Sequence, residues 1–275
     1  MSQDYWQYGG NLQTVSGINH VSIFGGECFM RQKQLRLSAS DLQSAVTIGN
    51  SAFWYVPVSS INCPNLASLG TSAFRENKAL TSIECLGKIS SIPNDCFGQD
   101  TALQIVKIPY ECTSITAFAF NGCSVLTSIT QYNKSLDDYA EGESPAFTNI
   151  SRITSFGNSC FGGCTLLSLT PQDIQNATTI EREAFNGVLL LSGTLNLPNL
   201  TGTLGRYSFN NTGISSISSL GTVTEIGNRA FAFTNISSIT IPNSVKKCAC
   251  DFVSDTVVSE IIFPEGVEEI LGAQF

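Results

Sequence analysis

Phenylalanine recurs along this chain with a fixed beat. Phe29, Phe53, Phe74, Phe97, Phe120, Phe161, Phe185, Phe209, Phe231, Phe252 and Phe275 are separated by 24, 21, 23, 23, 41, 24, 24, 22, 21 and 23 residues. A period near 23 residues means one short supersecondary unit copied many times. No single copy can bury its own apolar face, so each finds a core only by stacking on its neighbours. The fold is therefore an elongated array, and function has to be sought on a long surface.

The residues around each Phe define the unit. Ile48-Gly49-Asn50-Ser51-Ala52-Phe53, Leu69-Gly70-Thr71-Ser72-Ala73-Phe74 and Ile226-Gly227-Asn228-Arg229-Ala230-Phe231 share the pattern Ile-Gly-x-x-Ala-Phe, and Ile270-Leu271-Gly272-Ala273-Gln274-Phe275 is a looser copy. Downstream lies a strand-like run ended by proline, as in Leu103-Gln104-Ile105-Val106-Lys107-Ile108-Pro109 and Ile236-Ser237-Ser238-Ile239-Thr240-Ile241-Pro242. Such a run, rich in β-branched residues and closed by a residue that cannot donate to a ladder, predicts one short strand per coil followed by a turn. The small residues before each Phe let neighbouring coils approach, and the ring fills the space between them.

With Phe120-Asn121-Gly122-Cys123 and Phe161-Gly162-Gly163-Cys164 added, the pattern resembles the BspA-like leucine-rich repeats over residues 20 to 275, in about ten copies. The resemblance implies a mostly β, curved leucine-rich-repeat solenoid with a parallel strand ladder on its concave face and turns or 3-10 corners elsewhere. It also implies a surface-associated or secreted protein that binds host proteins or other cells. A repeat scaffold hosts many partners, so that functional expectation is analogy.

Two departures from the repeat stand out. The interval of 41 leaves about 18 residues beyond the period near residues 131 to 148, including Lys134, Asp137, Asp138, Glu141 and Glu143. This reads as an inserted acidic loop, either a solvated excursion or a place where binding is customised. The chain also stops on the Phe of a new repeat without a polar cap, which leads us to expect either a piece of a longer array or a covered edge, with end-to-end self-association as one form of cover. Residues 1–19 form a separate N-terminal segment, in which Tyr5, Trp6 and Tyr8 could cap the first coil with their rings or belong to a disordered end.

Fourteen basic and 22 acidic residues give a net charge of −8. No basic stripe appears, which speaks against nucleic acid as a partner. No apolar run approaches the length that spans a bilayer, so membrane insertion is not expected. Met1-Ser2-Gln3-Asp4 lacks the basic and apolar regions of a secretory signal, which leaves secretion open where Met1 is not the native start.

The ten cysteines do not read as a disulfide framework. Cys28, Cys96 and Cys160 immediately precede a spine Phe, where other repeats carry Ala52, Ala73, Ala119, Ala184 and Ala230. They replace small buried residues and are expected to be reduced core thiols. A Cys123–Cys164 disulfide stays open, because both occupy the same repeat position on either side of the insert. Cys248-Ala249-Cys250 has no nearby His or second cysteine pair, so neither a metal nor a cofactor is expected.

Catalytic constellations are equally sparse. His20 is the single histidine, and no nucleophile elbow, zinc-protease motif or phosphate loop occurs. Carboxylate pairs such as Asp137 and Asp138 leave a glycan hydrolase as a remote alternative, but nothing in the sequence fixes their separation or buries one of them. The reading is a non-enzyme.

The candidate binding face follows from strand alternation. Thr81, Glu84, Gln104, Lys107, Thr127 and Thr130 point away from the core on the ladder, and Asp137, Asp138, Glu141 and Glu143 lie on the insert. Elsewhere the same positions hold mainly Ser and Thr, a face poor in the Trp, Tyr and Arg that supply hot spots. The expected function is binding of a protein or cell-surface macromolecule, with a structural spacer or assembly subunit as the alternative. Six Asn-x-Ser/Thr sites occur in a chain rich in all three residue types, and they carry no argument for glycosylation.

Overall fold

The computed structural model describes residues 10–272. The expectations for Tyr5, Trp6, Tyr8 and Phe275 lie outside the described residues. The chain is mostly β with almost no helix, wound into a solenoid of about eleven turns of parallel stacked strands.

The expected ladder is formed by β3 (Ser60–Asn62), β5 (Ser82–Cys85), β7 (Ile105–Ile108), β9 (Ser128–Tyr132), β13 (Ser192–Asn196), β15 (Gly213–Ser219), β17 (Ser238–Thr240) and β19 (Glu260–Ile262). Ile61, Ile83, Val106 and Ile129 point inward and are buried, whereas neighbours in the strands are partly or fully exposed. Most coils hold a second, shorter strand where only a turn was expected. This series comprises β1 (Ile23–Phe24), β2 (Thr47–Ile48), β4 (Ser68–Leu69), β6 (Ser91–Ile92), β8 (Ser114–Ile115), β11 (Ser155–Phe156), β12 (Thr179–Ile180), β14 (Thr201–Leu204), β16 (Thr222–Ile226), β18 (Lys247–Ala249) and β20 (Glu269–Leu271). These strands pair in parallel within three sheets. The inward, buried residue of these short strands is an Ile in several coils, as at Ile48, Ile92, Ile115, Ile180 and Ile226, and Phe24, Phe156 or Leu204 in others.

Between the two ladders runs the phenylalanine spine. Successive ring centroids from Phe29 to Phe231 are 5.3–5.9 Å apart, with interplanar angles between 3° and 23°. The step across the insert, Phe120 to Phe161, is 5.6 Å, so the extra residues leave the spine untouched. The glycine of Ile-Gly is required by close approach. A Cβ at Gly49 would stand 2.5 Å from the Gly26 nitrogen, and one at Gly70 would stand 2.4 Å from the Asn50 nitrogen. Around each ring the corner is built from tight turns, with left-handed residues recurring two before and two after the Phe, as at Ser72 and Glu76. Spine amides then bond to the next coil, for example Phe97 N–H to Ala119 O at 2.9 Å.

The insert is a folded hairpin. Its return strand β10 (Phe147–Thr148) pairs antiparallel with β9, placing Phe147 opposite Tyr132. It ends the five-stranded sheet at that edge. The following coil forms no strand at residues 166–170, and Ser168 reaches the ladder through its N–H to Thr127 O at 3.1 Å. The ladder resumes at β13. At the other end, Val15, Ile18 and Val21 pack on the core of the first coils.

Candidate functional site

The structure gathers two of the predicted ladder residues at the root of the hairpin. Glu84 on β5 and Lys107 on β7 lie side by side, and their ion pair spans 2.6 Å. Lys107 Nζ also sits 4.9 Å from the centre of the Phe147 ring, within the range of a cation–π contact. Phe147 in turn meets Tyr132 at 4.8 Å and 58°. Tyr132 reaches back across β7, and its hydroxyl donates to Glu84 O at 2.9 Å. Four strands thus contribute one charged pair and two aromatic rings to one spot. The hydrogen bond from Lys107 holds the Glu84 carboxyl below its ordinary range. Burial pushes the Tyr132 phenol upward, as it does the Cys85 thiol beside it.

The other ladder residues behave differently. Thr81 donates its hydroxyl to Ser59 O at 3.1 Å, and Thr127 donates to Gln104 O at 3.1 Å. Each thus commits its only donor hydrogen to the preceding coil. Gln104 is exposed and Thr130 is half-buried, and Thr130 stands opposite Lys107 in the parallel register of β7 and β9.

On the insert, Asp137 forms an ion pair with Lys88, which lies two coils back in the turn after β5. The pair borders a groove of about 510 Å³ lined also by Pro64, Asn65, Leu66, Ala67 and Leu136. Glu143 pairs with Lys134 at 2.8 Å and accepts the Ala140 N–H at 3.0 Å. Both contacts lower the Glu143 carboxyl, that with Lys134 the more. Asp138 and Glu141 are exposed and make no side-chain ion pair among the described residues. The geometry couples Asp137 to a lysine, and neither carboxylate of the Asp137-Asp138 pair is buried. Lys88, Tyr132 and Phe147 escaped the sequence reading. The available signal was Phe147 itself, an aromatic residue off the 23-residue beat.

All ten cysteines are free, eight of them buried. Cys123 donates its thiol to Phe97 O and Cys164 to Phe120 O, each at 3.1 Å. Burial drives the Cys164 thiol up to about 12, so these groups act as small core residues rather than nucleophiles. Among the described residues no cluster of His, Cys, Asp and Glu could hold a metal ion. No helix there is long and apolar enough to cross a membrane.

Comparison with known proteins places this geometry in a family. A family model for the BspA type leucine rich repeat region matches residues 22–141 and 154–275, and the gap between the two stretches contains the return strand of the hairpin. A leucine-rich repeat protein from Bacteroides ovatus ATCC 8483 is similar over 92% of this chain and 78% of its own, at 14% identity and a TM-score of 0.54. A leucine rich cell surface protein from Faecalibacterium prausnitzii A2-165 is similar over 69% of this chain, at 20% identity and a TM-score of 0.47, and the matched part is 44% of its length. At 14% identity the likeness to the Bacteroides ovatus structure shows the fold alone. Comparison with curated proteins gave no match. The matched repeats cover most of the sequence, and the chain belongs to the BspA-type leucine-rich-repeat family.

Proposed function

We propose that this solenoid is a non-catalytic binding module, and that a protein or cell-surface macromolecule docks at the junction of hairpin and ladder. One observation carries the reading. The return strand of the insert places Phe147 and Tyr132 against the Glu84–Lys107 pair, on a ladder whose other outward positions hold mainly small hydroxyl residues. Phe147 is exposed, with Tyr132 buried behind it, and an exposed ring beside a partly exposed charge pair is the composition that supplies binding energy at interfaces. Asp138 and Glu141, exposed on the same hairpin, would add charge at the rim, where it affects association rate more than affinity. Adhesion and a surface location are what family membership suggests.

The test is affinity capture from host-cell and self extracts, followed by binding measurements on the purified partner. The intact chain is compared with Lys107→Glu, Phe147→Ala and a form lacking the hairpin. A specific partner whose affinity falls at least tenfold in all three supports the junction as the docking site. A partner bound equally well by all forms places binding elsewhere. Recovery of only the chain's own copies would favour an assembly subunit instead.

A further inference from the structure

The residues three beyond each spine Phe from Phe53 to Phe185 form an internal column. Val56, Asn77, Asp100, Cys123, Cys164 and Val188 occupy it in successive coils, and none has exposed surface. Asn77 is partnered at both amide atoms: Oδ1 accepts the Val58 and Ala79 N–H groups at 3.2 and 3.1 Å, and Nδ2 donates to Val58 O at 3.0 Å. Asp100 sits one coil further on and is the one carboxyl in the column. Its Oδ1 accepts the Asn77 N–H at 2.6 Å, while its Oδ2 is buried without a hydrogen-bond partner.

An ionised carboxylate in that position would keep one oxygen desolvated and unpaired, and a neutral acid loses far less hydration there than a charge does. The charges around it do not reverse this. Asp95 and Glu76 face it with the same sign, and Lys78, the one cation acting on it, bonds through Nζ to Gln99 O at the surface. The neighbouring Cys96 and Cys123 thiols are themselves pushed upward by burial.

We propose that Asp100 is held as a neutral, hydrogen-bonded acid in the folded solenoid and makes the coils leading into β5 and β7 a joint that loosens as the medium becomes more alkaline. Burial raises Asp100 well above the ordinary carboxylate range, in accord with the geometry. The unfolded chain ionises this group near pH 4, at about 3.9. The stability it supports is therefore complete below that pH and declines as the pH rises toward the folded value. Across that window the folding equilibrium shifts by up to about tenfold per pH unit.

The test compares denaturant midpoints of the full chain with those of Asp100→Asn and Asp100→Cys between about pH 4 and 7.5, below the range where an unfolded thiol ionises, the second variant placing at 100 the residue already accommodated at 123. The expected result is that both variants gain on the native chain as pH rises from 4 and run parallel to it once the folded value is passed. Profiles parallel throughout would overturn the proposal. Should neither variant fold, ¹³C-carboxyl spectra of the native chain labelled at aspartate decide the matter. An Asp100 carboxyl that stays protonated well above the ordinary aspartate range is expected, and an Asp100 signal titrating within that range would overturn the assignment.

Discussion

Replacing Phe97 by alanine should open the solenoid at one place rather than weaken it everywhere. The ring has no exposed surface and lies between Phe74 at 5.8 Å and 9° and Phe120 at 5.5 Å and 12°. Removing a buried ring costs about 3–5 kcal/mol. Phe97→Leu keeps most of the apolar volume and loses two ring pairings worth about 0.5–1.5 kcal/mol each, so about 1–3 kcal/mol is expected for that change. Phe29→Ala serves as a control, because Phe29 is only half-buried and has a single spine neighbour, Phe53 at 5.8 Å. In a solenoid the energy is nearly a sum of nearest-neighbour terms. Amide exchange should therefore rise most at Phe74 and Phe97, whose N–H groups bond to Cys96 O and Ala119 O, and least at Phe209, bonded to Ala230 O. Guanidinium denaturation gives the total, and hydrogen exchange gives its distribution. A Phe97→Ala midpoint equivalent to less than about 1 kcal/mol of loss would refute the spine as the main core element. Loss of protection spread evenly from Phe53 to Phe231 would refute the nearest-neighbour reasoning.

The hairpin and the thiols yield two further expectations. Lys88→Ala removes the partner of Asp137, an ion pair whose side chains are 40% and 75% exposed, so the denaturation midpoint should move by no more than about 1 kcal/mol while proteolysis within residues 133–146 accelerates; unchanged cleavage would mean that the pair does not hold the loop. Native-state alkylation should modify Cys28 and Cys250, the two exposed thiols, and spare the other eight until the chain unfolds, a split that mass spectrometry reads directly and that rapid labelling of Cys123 or Cys164 would contradict.

The repeat was legible because each spine ring is large, buried and regularly placed, so the core imposed its period on one residue type. The second strand was not legible. Two-residue strands such as Ser91–Ile92 and Ser114–Ile115 are too short to show alternation, and only the parallel partner one coil away identifies them. The hairpin was read as acidic from its charges, whereas its position is fixed by Phe147 and Tyr132, whose pairing depends on an antiparallel register that composition does not encode. The burial of Asp100 is hidden in the sequence for a related reason. Gly98-Gln99-Asp100-Thr101 looks like an exposed turn along the chain. Aligned by the spine, the same residue falls in a column with Val56, Cys123 and Val188, and its burial is apparent.

The hairpin also explains why the candidate site lies where it does. Extending a surface connection by about 18 residues costs little closure entropy, roughly 0.6 kcal/mol per doubling of loop length, and the Phe120–Phe161 step of 5.6 Å shows that the core does not register it. The cost falls on the ladder instead. β10 takes the edge of β9, so the next coil cannot complete its strand, at about 0.5–1.5 kcal/mol for each ladder hydrogen bond not formed. The Tyr132–Phe147 contact, the cation–π contact from Lys107 and the Tyr132 bond to Glu84 O offset that loss, and they are also the features that set this stretch apart from the hydroxyl ladder on either side. Thr81 and Thr127, by contrast, spend their hydroxyl hydrogens on the coil beneath them. A partner arriving there would have to compete with the fold's own hydrogen bonds, whereas at the hairpin it meets aromatic area and charge already held in place.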